Sequence, residues 1–221
     1  MVVSKKFFIW EKFFLENKKI FEDFLKNFWK FFNEKKIKLK WEHNKKNIFF
    51  ISKFLKENFW FSNIELKKSI EKFQPLKHRM EEFRHLNRLW IDDAISTTPD
   101  STIECLKTYQ NRINWVILWW QNRWYNFENL INFLEKIPNL KAIALFENSE
   151  KILDLIEINF ENFKNKPKIF ISNDLEKITK FLFENSEKQW VITLSTASPS
   201  YWYFKNFEEQ GEKFLKSIEK I

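Results

Sequence analysis

Val191-Ile192-Thr193-Leu194-Ser195-Thr196-Ala197-Ser198-Pro199-Ser200-Tyr201-Trp202-Tyr203-Phe204-Lys205-Asn206-Phe207 passes from an apolar run, through small hydroxyl residues, into an amphipathic stretch reaching residue 220. That is the order of a buried strand feeding a helix. The same order recurs upstream. Apolar segments centred on Leu89–Ile91, Val116–Leu118, Ala142–Leu145 and Ile169–Ile171 alternate with amphipathic segments near 100–111, 127–136, 149–163 and 174–185. Strand-then-helix alternation predicts an α/β layer with a mostly parallel sheet. Ligands of such sheets bind at the carboxyl ends of the strands, so the segments following each strand are where chemistry is expected.

Upstream of this layer the pattern changes. Ile48, Ile51, Phe54 and Leu55 predict a helix over 45–58, and Ile64, Leu66, Ile70 and Phe73 another over 63–73. The first 36 residues, rich in Phe and Lys with weak periodicity, read as strands and turns. Pro75 breaks the chain, which makes Gln74 to Arg79 the expected hinge between two domains, 1–76 and 77–221.

Composition limits the possible functions. The 221 residues are 44% hydrophobic and 31% charged, which excludes a disordered chain. The longest apolar run is Trp115 to Trp120, far short of the roughly 18 residues a spanning helix needs, so no membrane insertion is expected. Charges at Lys5, Lys6, Glu11 and Lys12 break up any signal-peptide core. Cys105 is the only cysteine, which fits a reducing, cytoplasmic compartment and excludes a thiolate metal cluster. A net charge of +8 permits an anionic partner without naming one.

Three strand ends carry the chemistry. Asp92-Asp93-Ala94-Ile95-Ser96-Thr97-Thr98-Pro99 places two carboxylates before hydroxyls, able to hold a cation, a ribose or an amino-acid carboxylate. The same residues also read as a helix cap, with Thr98 at N-cap and Pro99 at N1. Leu118 to Phe127 sets Arg123 in a strand-to-helix turn, a place for an anion if the turn is glycine-rich. Ser195 to Phe207 offers hydroxyl and backbone donors to a carboxylate, or simply caps a helix. Among the histidines, His43 precedes a helix, His78 lies beside Arg79 in the hinge, and His85 reads as a surface residue. No spacing supports a zinc site, a Ser-His-Asp order or a dinucleotide fingerprint.

One count is abnormal. Ordinary glycine usage of roughly 7% predicts about 15 glycines, and the chain has one, Gly211, against 11 tryptophans. Glycine supplies positive-φ turns and close backbone approach, so each tryptophan must be asked whether its context wants a large ring or none.

Five ordered motifs resemble the Mur ligases of peptidoglycan synthesis, in particular the members that add D-glutamate. They are Trp41-Glu42-His43-Asn44-Lys45-Lys46-Asn47 (family G-x-H-N-x-x-N), Phe73 to Glu81 (F-x-x-L-x-H-R-x-E), Asp92 to Thr102 (D-D-A-x-x-T-x-P-x-S-T), Leu118 to Phe127 (L-G-G-x-x-[KR]-G-x-x-F) and Leu194 to Gly211 (L-S-P-A-x-x-S-x-x-x-F-K-N-F-x-x-R-G). The resemblance runs from about residue 37 to the carboxyl terminus. It implies the end of a central ATPase domain over 1–76, followed by a Rossmann-like carboxyl-terminal domain over 77–221 that binds D-glutamate. It implies an ATP- and Mg²⁺-dependent amide ligase that activates the carboxylate of UDP-N-acetylmuramoyl-L-alanine as an acyl phosphate for attack by D-glutamate. Carried over by position, Asn44, Asn47, Arg79 and Asp93 lie on the nucleotide side, and Thr97, Arg123, Ser200, Tyr201 and Phe207 surround D-glutamate. No catalytic residue and no metal ligand are assigned in this chain.

The departures are specific. Ile95 stands where many members have lysine, Thr196 and Lys77 replace prolines, and Gln210 replaces the arginine before Gly211. The chain contains no G-x-x-G-K-[ST] P-loop, so it resembles only part of a ligase and is expected to be inactive without a missing amino-terminal half. Trp41, Trp119, Trp120 and Trp124 fall where the family has glycine, and Trp60 and Trp202 suit glycine as well. UGA codons meaning glycine in the source organism, rendered here as tryptophan, would explain both the excess and the deficit. Trp10 and Trp29 are candidates for the same set, and Trp90, Trp115 and Trp190 stay open. The alternatives are a non-catalytic split subunit and, from another class, a basic aromatic-rich module that stacks on nucleic acid. The core-like spacing of the aromatics argues against the latter, and no nucleic-acid partner is expected.

Overall fold

The computed structural model describes residues 18–32, 37, 42–119, 125–146, 149–199, 201 and 203–221. The chain divides into two compact units, Met1–Pro75 and Leu76–Ile221.

The described part of the first unit is helical. Helix α1 spans Lys18–Trp29, α2 Glu42–Phe59 and α3 Asn63–Lys72. Helix α1 corrects the expectation of strands and turns across the first 36 residues. Leu25, Trp29 and Phe32 fall at i, i+4 and i+7 and are buried together with Ile37, Ile48 and Phe49, which a helix achieves and an alternating strand does not. Helix α3 starts at a reciprocal cap. The Glu65 N–H donates to Ser62 Oγ at 3.2 Å, and the Ser62 N–H donates to Glu65 Oε2 at 2.9 Å.

The second unit is an α/β layer. Strands β1 (Glu81–His85), β2 (Arg88–Asp92), β3 (Ile113–Leu118), β4 (Ala142–Leu145), β5 (Lys168–Ile171) and β6 (Val191–Leu194) form one sheet in the order β1-β2-β6-β3-β4-β5. Helices α4 (Pro99–Tyr109), α5 (Glu128–Leu134), α6 (Glu150–Ile158), α7 (Leu175–Glu184) and α8 (Phe207–Glu219) alternate with the strands from β2 onward. All pairings are parallel except β1 with β2. Strands β3, β4 and β6 are buried along nearly their whole length, because helices cover both faces. On one face Trp90, Trp115, Ile117, Ala144 and Ile192 pack with Leu175, Ile178 and Leu182 of α7 and Phe214 and Ile218 of α8.

The antiparallel edge strand β1 was not foreseen. Its sequence, Glu-Glu-Phe-Arg-His, is polar because it closes the sheet and buries little. Leu86 and Asn87 link it to β2 with φ of 45° and 61°, the double left-handed geometry of a tight hairpin. His85, expected at the surface, is half-buried on β1 with its Nε2 shielded from solvent.

The sheet order places β6 between β2 and β3: the connections out of β2 and β3 both run toward β5 and their helices α4 and α5 pack together, whereas the chain returns from β5 to β6 and α8, which follows β6, packs with α7. The three strand ends carrying the sequence motifs therefore converge at the switch point where α/β sheets bind ligands. Among the described residues no helix is long and apolar enough to cross a membrane.

Candidate functional site

The ends of β2, β6 and β3 are stitched together by backbone bonds. The Asp93 N–H donates to the Leu194 carbonyl at 2.9 Å, the Ala197 N–H to the Ser96 carbonyl at 3.1 Å, and the Trp119 N–H to the Thr196 carbonyl at 2.9 Å. Thr196 Oγ1 adds a contact to the Ser96 carbonyl at 3.2 Å. Beyond them Thr98 caps α4 by accepting the Ser101 N–H at 3.2 Å, with Pro99 at the first helical position, as the sequence predicted.

Asp92 and Asp93 are both fully buried. Adjacent side chains at a strand end point to opposite sides, and the two carboxylates serve different partners. Asp92 Oδ1 accepts the Ala94 N–H at 3.1 Å, and Oδ2 lies 2.7 Å from His78 Nδ1. Asp93 Oδ2 accepts the Ser195 hydroxyl at 2.7 Å, and Oδ1 accepts the Met80 N–H at 3.2 Å. Arg79 Nη1 sits 3.8 Å from Asp93 Oδ1 and donates to Ser96 Oγ at 2.9 Å.

Burial outweighs these donors. It pushes the Asp93 carboxyl up to about 6, against the bonds from Ser96 and Ser195 and the Arg79 charge, which pull it down. A buried carboxyl held near neutrality beside a half-exposed guanidinium is the kind of strained electrostatics found at binding and catalytic sites. Cys105 is buried beside Asp93, and burial first, then the Asp93 charge, raises its thiol well above the ordinary cysteine value. We therefore expect Cys105 to resist Ellman's reagent in the folded protein and to react only on unfolding. Rapid native labelling would contradict the buried geometry.

Of the residues predicted for the nucleotide side, Arg79 and Asp93 meet. Asn44 is half-buried and Asn47 exposed on α2, within the first unit. Of those predicted around D-glutamate, Thr97 is half-buried on the loop after β2 and Tyr201 is 58% exposed. Phe207 opens α8 and meets the His78 ring edge-on at 6.5 Å. Arg123 and Ser200 lie outside the described residues, as do Trp10, Trp41, Trp120, Trp124 and Trp202. Sequence reasoning did not find Ser195 and Ser96 as the partners of Asp93 and Arg79, or the His78–Asp92 pair. Nothing local marks such contacts, because they join segments far apart in the chain.

Among the described residues one group could in principle hold a metal: ligand atoms of His78, Glu81 and Asp92 lie within 4.8 Å of one another. Its members already satisfy each other, since the His78 N–H donates to Glu81 Oε2 at 3.1 Å and the ring engages Asp92. A histidine-containing, hydrogen-bonded cluster does not fit Mg²⁺, which prefers an octahedral oxygen shell.

No protein-family model matches the chain. It is similar to the UDP-N-acetylmuramoylalanine–D-glutamate ligases of Aquifex aeolicus (28% identical over 189 residues, 85% of this chain and 43% of that protein) and Clostridium tetani (28% over 203 residues, 90% and 43%). It is also similar to that of Prochlorococcus marinus (30% over 183 residues, 81% and 38%). The chain thus spans about two-fifths of the length of these relatives. In fold it resembles a murein peptide ligase from Psychrobacter arcticus (TM-score 0.57, 14% identical, 84% of this chain and 38% of that one). A similar likeness is to MurF of Thermotoga maritima, solved with ADP (TM-score 0.50, 19% identical, 77% and 38%). Motifs, sheet topology and these likenesses agree: the chain is a relative of the D-glutamate-adding Mur ligases, over a stretch consistent with their carboxyl-terminal part.

Proposed function

We propose that this chain supplies the D-glutamate-binding part of an ATP-dependent ligase acting on UDP-N-acetylmuramoyl-L-alanine, with residues 1–76 the end of the ATP-binding domain and 77–221 the domain that receives D-glutamate. The observation that carries this reading is that relatives bearing that activity in their names align with 81–90% of the chain. The convergence of the motif-bearing strand ends at the sheet's switch point supports it.

Arg79 fits a nucleotide phosphate. Its guanidinium is partly exposed, and Nη1 is fixed by Ser96, leaving further donors for an anion. Asn44, Asn47 and Asp93 are proposed for the same nucleotide, and Thr97, Arg123, Ser200, Tyr201 and Phe207 for D-glutamate. ATP, when bound with its Mg²⁺, supplies the phosphoryl group that activates the acceptor carboxylate. The metal's ligands and the P-loop are expected on an amino-terminal half that this stretch does not include. The work of these residues is then to bind and orient rather than to break bonds.

Calorimetric titration with ADP tests the reading. The chain is expected to bind ADP, and Arg79→Ala to weaken it by about ten- to a hundred-fold, the loss for one charge-assisted contact of roughly 1.5–3 kcal/mol. Absence of ADP binding by a folded chain would remove the nucleotide assignment.

A further inference from the structure

The only glycine in the chain points to a residue the motif reading left without a role. A β-carbon at Gly211 would fall 2.0 Å from His78 Nδ1 and 2.6 Å from Cγ, so the imidazole lies directly on the backbone of α8. Nothing larger than glycine leaves room for the ring. His78 is buried, and its own φ is 58°, with Met80 at 50°. Residues 78 to 80 thus make a turn that side-chain-bearing residues seldom adopt, and such a turn persists only where its surroundings hold it.

Three contacts hold the turn. Asp92 Oδ2 takes His78 Nδ1 at 2.7 Å, Glu81 Oε2 accepts the His78 N–H at 3.1 Å, and the His78 carbonyl accepts the Ile95 N–H at 3.3 Å. What the turn delivers lies immediately after it: Arg79 toward Ser96 and Asp93, and the Met80 N–H onto Asp93. We propose that His78 is a positioning residue for this site: clamped between Asp92 and Gly211, its ring locks the left-handed turn that presents Arg79 and the Met80 N–H to Asp93. The proposal deepens the nucleotide reading of Arg79 and Asp93 and rests on it for the identity of the ligand.

The clamp is also charge-dependent. The groups facing the ring are Asp92 on β2, Glu81 at the start of β1, and Glu212 on α8, all acidic, with Phe207 of α8 against its edge. The Asp92 hydrogen bond is the largest influence and holds His78 protonated to higher pH than an ordinary histidine. As pH rises through that titration the imidazolium is lost and its bond to Asp92 weakens, so the turn is best held on the acidic side.

The test uses the full chain as wild type, His78→Asn and His78→Ala. Asparagine tolerates a left-handed φ and retains a side-chain N–H for Asp92, whereas alanine does neither. Two readouts are taken between pH 6 and 9: the ¹⁵N–¹H signals of the Arg79 guanidinium, and ADP affinity by calorimetry. His78→Asn is expected to keep the Arg79 signals and bind ADP within about three-fold of wild type, but without the weakening with pH that wild type shows. His78→Ala is expected to lose the protected Arg79 signals and at least about ten-fold in affinity. A folded His78→Ala chain with both readouts unchanged would overturn the proposal. Should that variant not fold, a His78→Asn profile with the same pH dependence as wild type would overturn it. If wild type binds no ADP while the Arg79 signals still depend on residue 78, the nucleotide reading fails and the positioning role stands.

Discussion

Peptide mass spectrometry of the protein from its native source is expected to return glycine, not tryptophan, at positions 41, 119, 120 and 124, and also at 60. Two described tryptophans show why. The Trp119 ring centroid lies 3.8 Å from that of Phe146 with the planes inclined at 41°, and Tyr203 and Phe204 crowd it at 5.1 and 5.3 Å. Tilted aromatic pairs settle at centroid separations of roughly 4.5–7 Å, so the indole overfills its space. Trp60, 88% exposed between α2 and α3, has a φ of 53°, where glycine rests without a steric cost and a β-carbon does not. Among the described residues the buried indole N–H groups of Trp29, Trp90 and Trp115 find no acceptor, each costing about 1–3 kcal/mol, and the same peptide map decides those positions. The functional consequence is large. A chain made with glycine at 41, 119, 120 and 124 is expected to give saturation-transfer signals from D-glutamate and not L-glutamate, and the tryptophan form none. Tryptophan at those positions in the native protein would end the idea.

How much was legible in the sequence followed burial. Strands β3, β4 and β6 were readable as short apolar runs because helices cover both sheet faces and leave little reason for polar alternation, and the edge strand β5, though only half-buried, carries the apolar run Ile169-Phe170-Ile171. Strand β1 was not, because an edge strand buries one partial face, through Phe83, and its hairpin turn is made by Leu86 and Asn87 without the glycine that usually marks it. Helix α1 was hidden by the abundance of phenylalanine, which placed apolar residues off the buried face as well as on it: Phe31 is 42% exposed while Phe32 is buried. At the site, the Asp92-Asp93 pair and the Thr98 cap were visible as local chemistry. The division of labour between the two carboxylates was not, since it depends on Ser195 and His78, which only the sheet order brings to the strand end. Gly211 stands out in the sequence as an isolated glycine, but its purpose is visible only in the ring lying across it.

Replacing Asp93 by asparagine is expected to make the protein more stable above neutrality while removing a group proposed to serve the nucleotide. The Asp93 carboxyl titrates near 6 in the folded chain because burial disfavours its charge, and near 3.9 in an unfolded one. Between those values the native state holds a proton that the unfolded state has released. Unfolding free energy therefore falls as pH rises from about 4 to about 6 and is level above that, by roughly 2–3 kcal/mol in all. Asp93→Asn has nothing to titrate and should lack this decline. Its amide also suits the pocket: the oxygen can take the Met80 N–H, and the N–H₂ can donate to Ser195, whose hydroxyl then turns to Thr102, 3.0 Å away. Urea unfolding of both proteins at pH 4.5 and pH 8 reads the difference, with every other carboxylate common to the pair. The variant is expected to gain about 1–3 kcal/mol relative to wild type on going from the lower to the higher pH. Parallel pH slopes would mean that Asp93 ionises without penalty, and that the pocket around it is wetter than its hydrogen bonds imply. A gain in stability together with a loss of ADP affinity would show that the buried charge is retained for binding, at the expense of the fold.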